Sequence, residues 1–205
     1  MNTESRLMCD NPKVARCVKV AECYYYGVAY ATGSIINDDE KAFLCVRNLD
    51  AWYPKCIENI SKHKAYQSHY NVARDGKPQW VIKARDIQVL PQLSEIASPA
   101  DFIRAYIEIH SVLDLSSRKS RSGERYKAPR LRIYGNEEIL EYIQKNVPAG
   151  KKAVQTITNR VGAKYKGETR AVYYQLKSEI IDILKWIDGN PRNEKVWDKW
   201  KTIID

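Results

Sequence analysis

The chain has 205 residues, 44% of them hydrophobic, enough to bury the core of one large domain or of two halves of about 100 residues, which excludes wholesale disorder. The 34 Lys and Arg against 25 Asp and Glu give a formal charge of +9, which points to a polyanionic partner, either nucleic acid or an anionic membrane. The opening MNTESRLMCDNPK has no apolar run of signal-peptide length and no stretch reaches the roughly 18 apolar residues of a membrane span, so any membrane role is peripheral and a cytoplasmic location is expected.

The cysteines, Cys9, Cys17, Cys23, Cys45 and Cys56, all fall in the first part of the chain and none shows a C-x-x-C spacing. Neither a zinc site nor a disulfide framework is indicated, and buried thiols in a reducing compartment are expected. A first long helix is predicted over 13–31, where Val14, Cys17, Val20, Ala21 and Tyr24 recur at helical spacing. Gly33 opens a short apolar run, and with KAFLCVR it reads as a hairpin. Asp50 can cap a second helix running to about Lys62, with Pro54 confined to its first turn. Two strands, Tyr66–Ala73 and Trp80–Arg85, flank the turn around Gly76, and a third helix is predicted near Ile87–Ile96.

The clearest punctuation is SEIASPAD, where Ser98 can serve as N-cap, Pro99 as first helical residue and Asp101 as the partner in a capping box. From there the order repeats. A helix from Pro99 to about Ile109 leads into a strand at Val112–Leu115, a polar turn from Ser117 to Lys127, and the strand APRLRIY. A helix at Asn136–Asn146 follows, then strands near Ala153–Arg160 and Arg170–Lys177, and a helix at Ser178–Trp186. A short amphipathic tail helix, Asn193–Ile204, reads as a packing cap. Both halves, 1–98 and 99–205, thus read αββαββα. The first carries 13 basic and 11 acidic residues, the second 21 and 14, so most of the excess charge lies in the second.

Where each first helix meets its first strand the sequence holds YYYGVAYATGSI and, 78 residues later, FIRAYIEIHSV. Gly27 and Ala31 lie four apart on one helix face, with Ala105 in the corresponding place of the second copy; small residues at that spacing let two helix backbones approach closely. These segments resemble the motif of the LAGLIDADG homing endonucleases, with Gly33 and Ser111 at the position of its last glycine. LRIYGNEEILEYIQ and VYYQLKSEIIDILKWI are similar to later strands and helices of such enzymes. The resemblance implies an α+β fold of two pseudo-symmetric αββαββα repeats whose antiparallel sheets form a DNA-binding saddle. It also implies helix-interface roles for Gly27, Ala31, Gly33, Ala105 and Ser111.

The family places an Asp or Glu just before the last motif position, as ligand of a divalent metal for phosphodiester hydrolysis. Here those positions hold Thr32 and His110. A neutral hydroxyl and an imidazole are poor partners for magnesium, so no catalytic residue, metal or cofactor is assigned. Asp38, Asp39, Glu40, Glu108 and Asp114 lie close in sequence, but Glu108, two residues before His110, points away from the same site. His110 is expected to pack or hydrogen-bond at the domain junction.

From Arg118 to Arg170 there are 14 Lys and Arg against 5 Asp and Glu. In APRLRIY, Arg130 and Arg132 alternate with Leu131 and Ile133, giving one basic and one buried face. The same alternation sets Tyr173, Gln175 and Lys177 against Val172, Tyr174 and Leu176, and Val81, Lys83 and Arg85 against Trp80, Ile82 and Ala84. Arg and Gln make bidentate contacts to base edges, whereas Lys more often neutralises phosphate. Arg130, Arg132, Gln175, Lys83 and Arg85 are therefore candidate base readers. Arg118, Lys119, Arg121, Arg125, Lys127, Lys164 and Lys166 are candidate phosphate contacts, with Lys177 on the same surface.

These readings point to a sequence-specific duplex-DNA-binding protein, a monomer with an internal pseudo-dimer on a long asymmetric site, repurposed as a transcriptional repressor or regulator. Three other readings stand beside it: a divergent nuclease, an RNA-binding maturase, and a protein that acts by binding another protein.

Overall fold

A computed structural model of the chain describes residues 18–38, 41–73, 76–157 and 169–204. A single 3-10 turn at Val20–Glu22 precedes α1 (Cys23–Thr32), which runs directly into β1 (Gly33–Asp38). Then follow β2 (Lys41–Asn48), α2 (Trp52–Cys56), β3 (Tyr66–Val72) and β4 (Pro78–Ala84). The order recurs as α3 (Pro99–His110), β5 (Ser111–Lys119), β6 (Arg125–Gly135), α4 (Glu137–Asn146), β7 (Gln155–Ile157) and β8 (Thr169–Tyr174), closed by α5 (Lys177–Trp186) and α6 (Glu194–Ile204). The strands form two four-stranded antiparallel sheets ordered β1-β2-β4-β3 and β5-β6-β8-β7, so the sheets have the same topology.

Each sheet buries one face by the period-two alternation of its central strands. In the first, Leu44 and Val46 of β2 and Ile82 and Ala84 of β4 pack under Tyr24, Val28 and Ala29 of α1 and Tyr53 and Cys56 of α2. In the second, Leu131 and Ile133 of β6 and Val172 and Tyr174 of β8 pack against Ile103 and Ile107 of α3, Leu140 and Ile143 of α4 and Ile180 and Ile183 of α5. The cores interpenetrate: Ala105 of α3 belongs to the first and Cys23 of α1 to the second. Cys23, Cys45 and Cys56 are buried thiols, and burial pushes the Cys56 thiol up to about 12.

Three helices of the first repeat are shorter than the sequence predicts. The first, expected over 13–31, becomes α-helical only at Cys23, because Val18 is bridged to Ile96 and Lys19 is extended; residues 13–17 lie outside the described residues. The one expected to reach Lys62 ends as α2 and a 3-10 turn at Ile57–Asn59, because Asp86 takes over the next donors: Ser61 Oγ at 2.6 Å and the Lys62 amide at 2.8 Å. The helix expected near Ile87–Ile96 is only a 3-10 turn at Leu93–Glu95. Ile87 is drawn into sheet-like pairing, its carbonyl accepting from the Leu44 amide at 2.8 Å, and Pro91 has no amide to donate and disfavours helix before it. At α3 the capping box also fails. Ser98 is the N-cap by backbone geometry and Pro99 the first helical residue, but Ser98 Oγ donates to the Asp101 carboxylate at 2.6 Å instead of capping an amide. Asn136 caps α4, accepting from the Ile139 amide at 2.9 Å.

Candidate nucleic-acid interface

The two motif helices, α1 and α3, cross at Gly27. A Cβ there would stand 2.3 Å from the Phe102 carbonyl oxygen and 2.9 Å from Ala105 Cβ, so the absence of a side chain sets the helix separation. Both helices deliver their last residue straight into the first strand of a sheet, Thr32 into β1 and His110 into β5. Gly33 is pressed against the Ala29 carbonyl and Leu44, which leaves no room for a Cβ. His110 Nε2 lies 2.5 Å from the Ala31 carbonyl across the junction, and its ring stacks on Tyr106. Since a carbonyl only accepts, Nε2 carries the proton, and the ring nitrogen facing α1 has no lone pair for a metal. Thr32 Oγ1 donates back to the Val28 carbonyl at 3.4 Å, and the Ser111 hydroxyl oxygen is buried. Among the described residues no three His, Cys, Asp or Glu side chains gather into a cation-binding group. The donors at the two motif ends do not fit magnesium, and no hydrolytic step is derived through one.

Glu108 lies on another side of α3 and is buried. Tyr24 Oη donates to it at 2.6 Å, Trp197 Nε1 of α6 at 2.7 Å, and the Asn193 amide at 3.3 Å to each oxygen. Burial pushes its carboxyl above the usual range, outweighing the Tyr24 and Trp197 donations and the charge of nearby Arg104. Arg104, one turn earlier and also buried, donates to the carbonyls of Ile187 and Pro191 at 2.9 Å each and to Asp101 at 2.5 Å. These two charges hold the segment leading into α6, and Asn193 Nδ2 in turn reaches Asp50 of the first repeat at 3.2 Å. A charged residue between Ile107 and Ile109, with an Arg four positions earlier, was the only sequence signal for this buried pair.

The sheet faces turned away from the helices differ. On the second sheet, Asp114 of β5 stands directly opposite Arg130 of β6, with Val112 opposite Arg132 and Arg118 opposite Tyr126. Arg130 donates to Asp114 through Nε at 3.1 Å and Nη2 at 3.0 Å, and Arg132 Nη2 donates to the same carboxylate at 2.6 Å. The Arg130 guanidinium holds the Asp114 carboxyl below the usual carboxylate range. Arg118 bonds the Pro129 carbonyl through Nη2 at 2.9 Å. Beyond the helix cover the β5–β6 hairpin projects Lys119, Arg121, Arg125 and Lys127, all exposed, around a turn that Gly123 makes at φ +91°. Lys164 and Lys166 lie outside the described residues.

On the first sheet the face turned away from the helices holds a small apolar group of its own, Phe43, Cys45 and Val81, buried beneath neighbouring side chains with Ile36 packed on it. Arg47, opposite Val81, and Lys83, opposite Cys45, are exposed on that face, and Arg85 is exposed just past β4 with its guanidinium 5.9 Å from the Phe43 ring centroid. Gln175 and Lys177 do not continue the alternation of β8. That strand ends at Tyr174; Gln175 and Leu176 form an exposed link and Lys177 is the first residue of α5. Burial of Ile180 and Ile183 pulls the chain out of the sheet there, because those residues fit only a helix lying over the core.

No protein-family model matches this sequence, and no curated protein matches it. Solved structures do match. The meganuclease I-SmaMI bound to uncleaveable DNA superposes with a TM-score of 0.61 at 10% identity, covering 91% of this chain and 89% of that one. I-SmaMI bound to uncleaved DNA target in the presence of calcium ions gives 0.60 at 9% identity, with 91% of each chain covered. The I-LtrWI LAGLIDADG homing endonuclease bound to target DNA gives 0.58 at 9% identity, again over 91% of each. Over nine-tenths of its length, this chain has the two-repeat fold of single-chain LAGLIDADG homing endonucleases.

Proposed function

We propose that the protein binds duplex DNA sequence-specifically through the open faces of its two sheets and occupies its site without cutting it, as a transcriptional repressor or related regulator. The repeats are taken as 1–98 and 99–205, acting in one monomer on a long asymmetric site, in the cytoplasm or nucleoid where such a site is reached. The observation that carries the reading is the pairing of a strongly basic open face with motif ends whose donors are turned inward, Thr32 to Val28 and His110 to Ala31. Occupying a promoter blocks polymerase without any further activity. The structural neighbours bound to DNA support the partner; the loss of cleavage rests on the chemistry of Thr32 and His110. No helix among the described residues is long and apolar enough to cross a membrane.

The test is selection of bound duplexes from a random or genomic pool, followed by gel-shift and cleavage assays on the winner with and without magnesium. Enrichment of one long duplex, shifted but uncut in both conditions, is the expected result. Magnesium-dependent cutting overturns the inactivity, and no enrichment of any duplex overturns DNA recognition itself.

A further inference from the structure

Resting on the DNA-binding reading, we propose that Asp114 is a specificity-determining residue that holds Arg130 as a fork for a guanine edge under the second sheet. A guanidinium is planar with five N–H donors in fixed directions. Arg130 spends Nε and one Nη2 proton on the two oxygens of Asp114, gripping the carboxylate side-on. The end of the fork, Nη1 and the second proton of Nη2, then leaves the ion pair as two parallel donors. Guanine presents two acceptors, N7 and O6, on its major-groove edge, and the bidentate Arg contact to them is the commonest specific one.

The surroundings favour base reading over phosphate anchoring. Asp114 and Arg130 face each other in register on the sheet, so the pair is built into the strands and not into a mobile loop. Arg132, next on the same face of β6, adds a third donor, to the same Oδ2 that Arg130 Nη2 uses, and restricts the carboxylate's rotation. All three side chains are roughly one-quarter to one-third exposed, Arg130 29%, Arg132 24% and Asp114 32%, so the cluster is open to a ligand yet partly shielded. A carboxylate here repels phosphate and weakens sequence-independent affinity, an arrangement that serves a binder only if the Arg it orients recognises a base. Without Asp114 the Arg130 side chain is freed to rotate toward the backbone, where its charge is useful with any sequence.

The experiment compares the wild type with Asp114→Ala and Arg130→Met on the selected duplex, with 7-deazaguanine, which lacks the N7 acceptor, placed at each guanine in turn. For the wild type, one guanine under the second half-site is expected to lose about tenfold in affinity on deaza substitution. Both variants are expected to lose that discrimination, being indifferent to the same deaza substitution, while Asp114→Ala binds random duplex as well as or better than the wild type. Discrimination that survives in Asp114→Ala, or a wild type indifferent to deaza substitution at every guanine, overturns the fork while leaving DNA binding intact. If Asp114→Ala fails to fold, Asp114→Asn, which keeps the side-chain shape but removes the second acceptor oxygen, takes its place in the same comparison with the same expected and overturning results. Failure of the wild type to select any duplex sinks the DNA reading itself and the fork with it.

Discussion

The two sheets share strand order and differ in what their open faces carry. The second carries Arg130 and Arg132 ion-paired to one carboxylate, Asp114, and the first carries Arg47 and Lys83 beside a buried apolar group of Phe43, Cys45 and Val81. Their covered faces are alike, because burial of Leu44, Val46 and Ile82 in one and Leu131, Ile133 and Val172 in the other fixes the register of each strand. Apart from the buried Phe43, Cys45 and Val81, positions on the faces turned away from the helices carry no such constraint, so one scaffold holds two chemically unlike surfaces. On the proposed DNA-binding reading, this contrast is expected to make the half-sites unequal, with an ion-paired guanidinium cluster under the second repeat and separate cations beside an apolar base under the first.

Charge reversal tests this contrast most severely. Arg130→Glu with Arg132→Glu is expected to weaken duplex binding about 1000-fold at moderate salt, since like charges set against each other cost several kcal/mol. Lys83→Glu with Arg85→Glu is expected to cost only about tenfold, by loss of contacts to phosphate. Equal losses in a gel-shift titration would erase the proposed asymmetry.

The motif helices differ in the same spirit, and their packing gives the next effect. Gly27→Ala forces a methyl into the Phe102 carbonyl and is expected to cost about 3 kcal/mol in urea unfolding. Ala105→Gly, at the matching position of α3, opens space and is expected to cost about 1 kcal/mol through backbone entropy. If the two proved similar, the crossing would not depend on Gly27 in the way described.

A further contrast between the helices concerns Glu108, which has no acidic counterpart on α1. Glu108→Ala leaves Tyr24 Oη, Trp197 Nε1 and the Asn193 amide without their acceptor, while also removing a costly buried charge, for a net loss of about 2 kcal/mol. Because the folded carboxyl titrates above its ordinary 4.5, the native state binds the proton more tightly than the unfolded chain. Its contribution is therefore fully present below about pH 4.5 and is lost as pH rises through the folded value. Glu108→Gln removes that titration, so urea midpoints of the wild type should fall relative to the variant as pH rises from about 4.5 toward neutrality. Parallel profiles would show that Glu108 is not held as described.

Much of this was legible along the chain. The repeated order of elements, the buried alternation of Leu131 and Ile133, the close spacing of Gly27 and Ala31 and the helix beginning near Asn136 all follow from local periodicity and residue chemistry. Helix lengths were not, where distant groups compete for the ends: Asp86 captures the donors that would have prolonged α2, and Ile87 is claimed by β2. The alternation at Gln175 and Lys177 extended correctly on paper and was cut short by the packing of α5.

By itself, then, the sequence determined a two-repeat α+β chain with a basic second half and motif ends lacking carboxylates, because periodicity, small-residue spacing and charge are local properties. Only the tertiary structure decided that Arg130 and Arg132 share Asp114, that Glu108 is buried beneath α6, and that His110 donates to Ala31. Those partners lie 16 to 89 residues apart and meet only once both sheets and the helix crossing are in place, because hydrogen bonds and ion pairs depend on distance in space and not along the chain.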